Sequence, residues 1–278
     1  MRLDALLARA TGRLSRAGSP SPRLDAEVLL CYVMGVDRTW LYTWGDHAAP
    51  TFERARFEAL VAARASGHPV AYLTGEREFW GLALATSPHT LIPRPDTETL
   101  VEALLELAQE GSGRLLDLGT GTGAIALAFA SERPAWEILG VDRVTEAVAL
   151  ATANARRLGV ANARFVVSDW FSALADARFS LIAANPPYID SRDPHLSQGD
   201  VRFEPKSALV SAEAGLADLR HIIRSARAHL APGGWLVLEH GHEQAAPVRA
   251  LLHEAGYVDL ASRRDLGGRE RVSLGRRS

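Results

Sequence analysis

Leu115-Leu116-Asp117-Leu118-Gly119-Thr120-Gly121-Thr122-Gly123 reads as a short apolar strand, a glycine-rich loop and, from about Ala124, a helix. Glycine at alternate positions allows a tight turn and lets backbone approach a ligand closely. The same strand–helix alternation continues from Arg114 onward. Leu115 to Leu118, Glu137 to Val141, Arg164 to Val167, Phe179 to Ala184 and Trp235 to Glu239 read as buried strands, and helical stretches separate most of them. That order predicts an α/β fold, a mostly parallel sheet with helices on both faces. Tyr257 to Leu274 reads as two further strands around a turn at Gly267-Gly268.

Upstream the pattern is different. Leu3, Leu6, Leu7 and Ala10 recur at helical spacing, Ser19-Pro-Ser-Pro22 is a break, Asp25 to Met34 is amphipathic, and Thr51 to Ala65 is a further helix with Thr51 as its expected cap. No strand pattern precedes Pro69. Phe79-Trp80-Gly81-Leu82 then predicts a hairpin connection between two short extended runs. Ile92-Pro93-Arg94-Pro95 is stiff, and Asp96-Thr97-Glu98 opens a helix running to about Glu110. The expected organisation is a helical domain over 1–66, a hairpin linker over 67–92 and an α/β domain over 93–278.

Composition narrows the function classes. Of 278 residues 47% are hydrophobic, ample for a sizeable core. Net charge is −2, and Lys206 is the only lysine, so the basic side chains are scattered arginines interleaved with acids rather than a polyanion-binding patch. Cys31 is the only cysteine, which excludes an intrachain disulfide and a cysteine-based metal cluster and fits a reducing, cytoplasmic setting. The first residues lack the apolar stretch of a secretory signal, and no uncharged run approaches the ~18 to 20 residues that span a bilayer.

The loop Gly119, Thr120, Gly121, Thr122 and Gly123, with Asp142 closing the next strand about 20 residues on, points to an adenosine-containing cofactor. By itself it does not choose between a nicotinamide cofactor and S-adenosylmethionine. Two further strand ends do. The third strand ends in Ser168-Asp169-Trp170, where a carboxylate can meet an adenine amine and a ring can pack beside the base. The fourth ends in Asn185-Pro186-Pro187-Tyr188. Two prolines in succession make a stiff exit from the strand. They would hold the Asn185 oxygen and a backbone carbonyl as paired acceptors for a planar NH₂ group, with the Tyr188 ring alongside. Hydride transfer has no evident use for that arrangement; methyl transfer to an amino or amide nitrogen does.

These segments resemble the HemK/PrmC family of bacterial release-factor glutamine methyltransferases. The resemblance rests on Gly67-His-Pro-Val-Ala-Tyr-Leu-Thr-Gly75, Glu78-Phe-Trp-Gly81, Leu91-Ile-Pro-Arg-Pro-Asp-Thr-Glu98, Asp117 to Gly123, Asn185 to Tyr188, Asp200-Val-Arg-Phe-Glu-Pro205 and Leu238-Glu-His-Gly241. The glycine loop and Asn-Pro-Pro-Tyr are shared with many amino-group methyltransferases, whereas Leu-Ile-Pro-Arg-Pro and Arg-Phe-Glu-Pro are far more specific.

The resemblance implies a class I S-adenosylmethionine-dependent methyltransferase fold, Rossmann-like with a seven-stranded sheet, behind a helical substrate-recognition domain. It implies S-adenosylmethionine as cofactor and S-adenosylhomocysteine as product. The implied substrate is the glutamine of the Gly-Gly-Gln motif in class-1 peptide chain release factors. Gly119 to Gly123, Asp142, Asp169, Trp170 and Asn185 are the expected cofactor residues. Asn185 to Tyr188 are expected to hold the glutamine, with Asn185, Pro186 and Tyr188 as the catalytic set. A monomer without metal, membrane or nucleic-acid partner is expected. An adenine-N6 methyltransferase is the alternative that uses the same acceptors, on a flipped base; it would want a basic face and a target-recognition region.

Overall fold

A computed structural model describes residues 1–108 and 111–278. The chain divides into two compact units: Met1–Glu76 together with Pro194–Phe203, and Arg77–Asp193 together with Glu204–Ser278.

The first unit is helical, with helices Leu3–Arg16, Pro22–Met34, Arg38–Thr43, Thr51–Ala65 and Val70–Thr74. Leu3, Leu6, Leu7, Ala10 and Leu14 form the buried stripe of the first helix, and they pack with Leu29, Leu30, Phe57 and Val61. Thr51 is the first helical residue rather than the cap. Pro50 holds the cap position in extended backbone, and no side chain caps the helix there. Proline has no N–H to lose at that end, so the chain enters the helix without a hydroxyl cap.

The second unit carries a two-stranded hairpin and a seven-stranded sheet. Strands β1 (Glu76–Phe79) and β2 (Leu82–Ala85) are joined by Trp80-Gly81, with φ of 54° and 71°. Two positive φ values in a two-residue connection match the twist of flanking strands. The sheet comprises β3 (Arg114–Leu118), β4 (Glu137–Asp142), β5 (Ala163–Val167), β6 (Phe179–Ala184), β7 (Leu230–Glu239), β8 (Tyr257–Arg264) and β9 (Glu270–Arg277). Their order across the sheet is β5-β4-β3-β6-β7-β9-β8. The first five are parallel, and β9 runs antiparallel to both β7 and β8. This is the expected seven-stranded α/β architecture. β7 starts earlier than its apolar run suggests. Its ladder with β6 passes from Phe179↔Leu230 to Leu181↔Trp235 across an irregularity, so Pro232-Gly233-Gly234 bulges without ending the strand.

Alternate strand residues face opposite sides. Leu115, Leu181, Ala183 and Val237 pack with helices Glu98–Leu107 and Ala124–Glu132, while Leu116, Ile182, Leu236 and Leu238 pack with helices Ala217–His229 and Ala245–Glu254. The helix opened by Asp96-Thr97-Glu98 spans Glu98–Leu107 after a 3₁₀ turn at Pro95–Thr97. The end expected near Glu110 lies outside the described residues. Strand order reverses between β3 and β6, the topological switch point, where open α/β sheets bind ligands at the strands' carboxyl ends. Leu118 pairs with Ala184 across that point. Gly119 and Asn185 therefore leave neighbouring strands at one level.

Candidate active site

A cleft of about 960 Å³, partly open to solvent, lies at these carboxyl ends. Its lining includes Gly119, Thr120, Gly121, Thr122, Asp142, Asp169, Trp170, Asn185 and Pro187. Gly123, Pro186 and Tyr188 border this region in sequence but are not among the lining residues.

The loop glycines serve two different needs. Gly119 and Gly121 have φ of 70° and 54°, a region that disfavours side chains. A Cβ there would come no closer to protein than 3.6 Å from the Trp170 ring and 3.9 Å from Thr90 Cβ respectively. The space a side chain would occupy is thus cleft rather than packed protein. A Cβ on Gly123 would instead stand 3.0 Å from Leu127, 3.2 Å from Ala151 and 3.3 Å from Phe165. Gly123 lets the following helix pack closely.

Asp142, the last residue of β4, braces the loop. Its Oδ2 accepts the Gly121 N–H at 3.0 Å and its Oδ1 accepts the Val144 N–H at 2.9 Å. Each carboxylate oxygen retains a lone pair for a ligand hydroxyl. Trp170 is held at φ 48°, a strained conformation for a bulky residue. The Ser168 hydroxyl donates to its carbonyl at 2.9 Å, keeping the ring beside Gly119. No helix follows Asp169, so it is not a helix cap; its side chain is exposed on the cleft wall.

Asn185 donates from Nδ2 to the Thr97 hydroxyl oxygen at 3.2 Å. With Nδ2 toward Thr97, Oδ1 is the acceptor on the other side. The Tyr188 hydroxyl donates to Glu239 Oε1 at 3.3 Å. Burial is the main cause that raises the Tyr188 hydroxyl far above its ordinary value, with the Glu239 charge adding to it. The phenol is neutral at any working pH, and its ring is packed against the core beneath the sheet's carboxyl end.

Sequence reasoning did not place the opposite wall. His89, Thr90, Leu91, Pro93, Arg94 and Thr97 all line the cleft. Glu204, buried, accepts the Ile92 N–H at 3.2 Å and pairs with Arg94. One carboxylate therefore ties Arg-Phe-Glu-Pro to Leu-Ile-Pro-Arg-Pro across more than a hundred residues. The available signal was the presence of both motifs; neither carries a spacing that predicts their meeting. His195 sits in a 3₁₀ turn of the first unit. Among the described residues no group of three or more His, Cys, Asp or Glu is placed to hold a metal ion.

Asp117 supports the loop from beneath. It is fully buried and accepts the Thr120 hydroxyl at 2.6 Å. Burial pushes its carboxyl up to about 6, against the Thr120 bond, which favours the ionised form. A folded value above the unfolded one means that the stability linked to the proton is fully present below about pH 4 and lost as pH rises through 6. Between about pH 4 and pH 7.5 the wild type should lose on the order of 1 to 3 kcal/mol relative to Asp117→Asn. Urea unfolding of both proteins across that range checks it. Parallel pH dependences of the two would refute the burial argument.

The sequence matches the family model described as PrmC N-terminal domain over residues 5–75 and the one described as Methyltransferase small domain over residues 95–200. It is 54% identical to the release factor glutamine methyltransferase of Vibrio cholerae serotype O1, over 98% of this chain and 96% of that protein. It is 55% identical to the protein of the same description from Salmonella typhimurium, over 93% of each. Among solved structures, a methyltransferase from Pyrococcus furiosus superposes with a TM-score of 0.54 at 18% identity, over 71% of this chain and 90% of that one. At that identity the likeness concerns the fold.

Proposed function

This chain belongs to the release factor glutamine methyltransferases, and from that premise we propose that it methylates the side-chain amide nitrogen of a glutamine in peptide chain release factors. The methyl donor is S-adenosylmethionine, and the target is the glutamine of a Gly-Gly-Gln motif in the class-1 factors. One observation carries the reading: the glycine loop and Asn185 leave adjacent strands at one level of the switch point, the arrangement that a cofactor cradle beside an amide acceptor needs.

The residues fit such a cofactor. Gly119 and Gly121 leave room for it, Asp142 has acceptor capacity for ribose hydroxyls, and Asp169 and Trp170 offer a carboxylate and a ring for the adenine. When bound, S-adenosylmethionine supplies an electrophilic methyl group on a sulfonium centre. An amide nitrogen is a weak nucleophile because its lone pair is delocalised into the carbonyl. The protein's task is therefore orientation and polarisation. Asn185 Oδ1 and the Pro186 carbonyl accept the two N–H bonds of the substrate amide, favouring the positive charge that builds on nitrogen. Tyr188 and the prolines keep that corner rigid and dry. Positioning of this kind supplies roughly 7 to 11 kcal/mol in favourable systems. The proton leaves to water.

The helical N-terminal domain serves recognition of the folded substrate, since one pocket offers far less than the ~1,600 Å² of a standard interface. The chain acts as a monomer in the cytoplasm, where release factors work. No helix among the described residues is long and apolar enough to cross a membrane.

Incubation of purified release factor with enzyme and S-adenosylmethionine, followed by mass spectrometry, tests the reading. A single added methyl on the Gly-Gly-Gln glutamine is expected; methylation of adenine in nucleic acid but not of release factor would overturn it.

Asp142→Ala should weaken S-adenosylmethionine binding by about tenfold to a hundredfold, with a smaller change in saturated turnover, because bonds to ribose act equally in ground and transition states. Calorimetric titration with kinetics at saturating cofactor separates the two effects. A large fall in turnover with unchanged affinity contradicts the assignment.

A further inference from the structure

Glu239 closes β7 as a charged residue in a buried place, 1% exposed. Ala184 pairs with Leu238, so Asn185 and Glu239 stand side by side at the next level of β6 and β7. Strand alternation puts both on the face of Leu181, Ala183 and Val237, the face covered by helix Glu98–Leu107. Thr97, just ahead of that helix, lies between them. It accepts from Asn185 Nδ2 at 3.2 Å, and its hydroxyl is the strongest influence favouring the ionised form of Glu239. The Tyr188 hydroxyl reaches the same carboxylate, at Oε1. Glu239 Oε2 is buried and has no hydrogen-bond partner among the described residues, which leaves it as the unused acceptor beside Thr97.

We propose that Glu239 is a positioning residue that sets the orientation of the Asn185 carboxamide through Thr97 and anchors Tyr188 directly. An ionised carboxylate only accepts hydrogen bonds. Set behind Thr97, it compels the Thr97 hydroxyl to donate backward. The Thr97 oxygen is then an acceptor toward Asn185, which must offer its NH₂. Asn185 Oδ1 is thereby presented as the acceptor that a substrate NH₂ needs. With no acceptor at position 239, the Thr97 proton is free to turn toward Asn185, the carboxamide gains nothing from its productive orientation, and a donor can face the substrate's own N–H. The direction of hydrogen bonding along Asn185–Thr97–Glu239 thus follows from the acceptor at its far end.

The charged surroundings of Glu239 are Arg271 on β9, which favours its ionised form, and Asp96 beside Thr97, which opposes it. Arg271 in turn pairs with Asp96 at 3.1 Å and with Asp265 at 3.2 Å, and Arg94 lies near Tyr188. Burial is the largest single cause and pushes the Glu239 carboxyl up to about 7.

The inference rests on the proposed glutamine methylation, so the full chain is assayed with release factor and S-adenosylmethionine. Glu239→Leu should lower kcat by about tenfold to a hundredfold, the rate equivalent of one lost and misdirected hydrogen bond, with cofactor affinity changed less than about twofold. Glu239→Gln keeps an acceptor and should recover most of that loss. Should Glu239→Leu fail to fold, Thr97→Val breaks the same chain one link nearer, and Thr97→Ser should restore it.

Unchanged turnover in Glu239→Leu or Thr97→Val overturns the relay, as does a loss matched by equal loss of cofactor affinity or one that Glu239→Gln does not recover. Wild-type enzyme run alongside distinguishes the two readings. No transfer by wild type sinks the proposed function, whereas transfer by wild type with indifferent variants sinks the relay alone.

Discussion

Asn185→Ala is expected to lower methyl transfer by about two to three orders of magnitude, the range seen when one preorganised hydrogen-bonding group is removed from a reacting centre. The substitution removes the side-chain acceptor for the substrate amide. One substrate N–H is then left without a partner in a water-poor corner, at about 1 to 3 kcal/mol, and the amide also loses the contact that aims its nitrogen. The backbone course survives, because Pro186 and Pro187 fix it without help from position 185. Ala184 remains in register with Leu118 and Leu238, so the sheet should be undisturbed. Cofactor affinity should fall only modestly, since the glycine loop, Asp142 and Trp170 are intact. Single-turnover kinetics at saturating S-adenosylmethionine, beside calorimetric titration of the cofactor, gives both quantities. Near-normal turnover would remove Asn185 from the chemistry; a collapse of cofactor affinity with normal saturated turnover would make it a binding residue only.

Legibility in the sequence follows the physical range of each signal. The central strands are apolar runs bounded by loops, a local signal, and Phe179–Ala184 was readable to the residue. The glycine loop was readable because tight turns at positive φ leave a compositional trace. That trace could not tell Gly119 and Gly121, which make room in the cleft, from Gly123, which makes room for a helix. The cleft wall formed by 89–97 was not readable as a site. Its stiffness was visible in Pro93 and Pro95, but the buried Glu204 that holds it in place is a tertiary partner more than a hundred residues away. Residues 194–203 belong with the helical unit for a similar reason. They lack periodicity and are attached by long-range contacts of Asp200, Arg202 and the Phe203 ring. Glu239 did leave a trace, a carboxylate ending a strand read as buried. Only the strand register shows that it stands next to Asn185.

Those long-range contacts in the helical unit give the largest expected effect on stability. Arg64 is buried, and its guanidinium donates from Nε to Asp25 at 2.7 Å, and from Nη1 to Asp200 at 2.6 Å and to the His68 carbonyl at 3.1 Å. Asp25, also buried, accepts the Ser19 and Ser21 hydroxyls at 2.7 and 2.8 Å, but Arg64 is the cation paired with it. Arg64→Ala strands the Asp25 carboxylate in the interior and should cost about 3 to 5 kcal/mol, because breaking a buried pair leaves an uncompensated charge. Arg64→Lys should recover less than half of this: an ammonium cannot present separate N–H groups to two carboxylates in the fixed geometry of a guanidinium fork. Arg9→Ala, which removes an exposed pair with Glu58 at 3.9 Å, should cost less than about 1 kcal/mol. Segment 194–203 would keep the Arg202 bond to the Ser66 carbonyl and the Phe203 ring against His68, but lose the Asp200 pairing. Hydrogen exchange should therefore rise in 194–203 and in helix Thr51–Ala65 before it rises in the central strands of the sheet. Chemical unfolding of the three variants, with exchange mass spectrometry of Arg64→Ala, measures both effects. An Arg64→Ala protein as stable as Arg9→Ala would show that the buried pair is dispensable. Uniform exchange across both units would show that 194–203 is not held by Arg64.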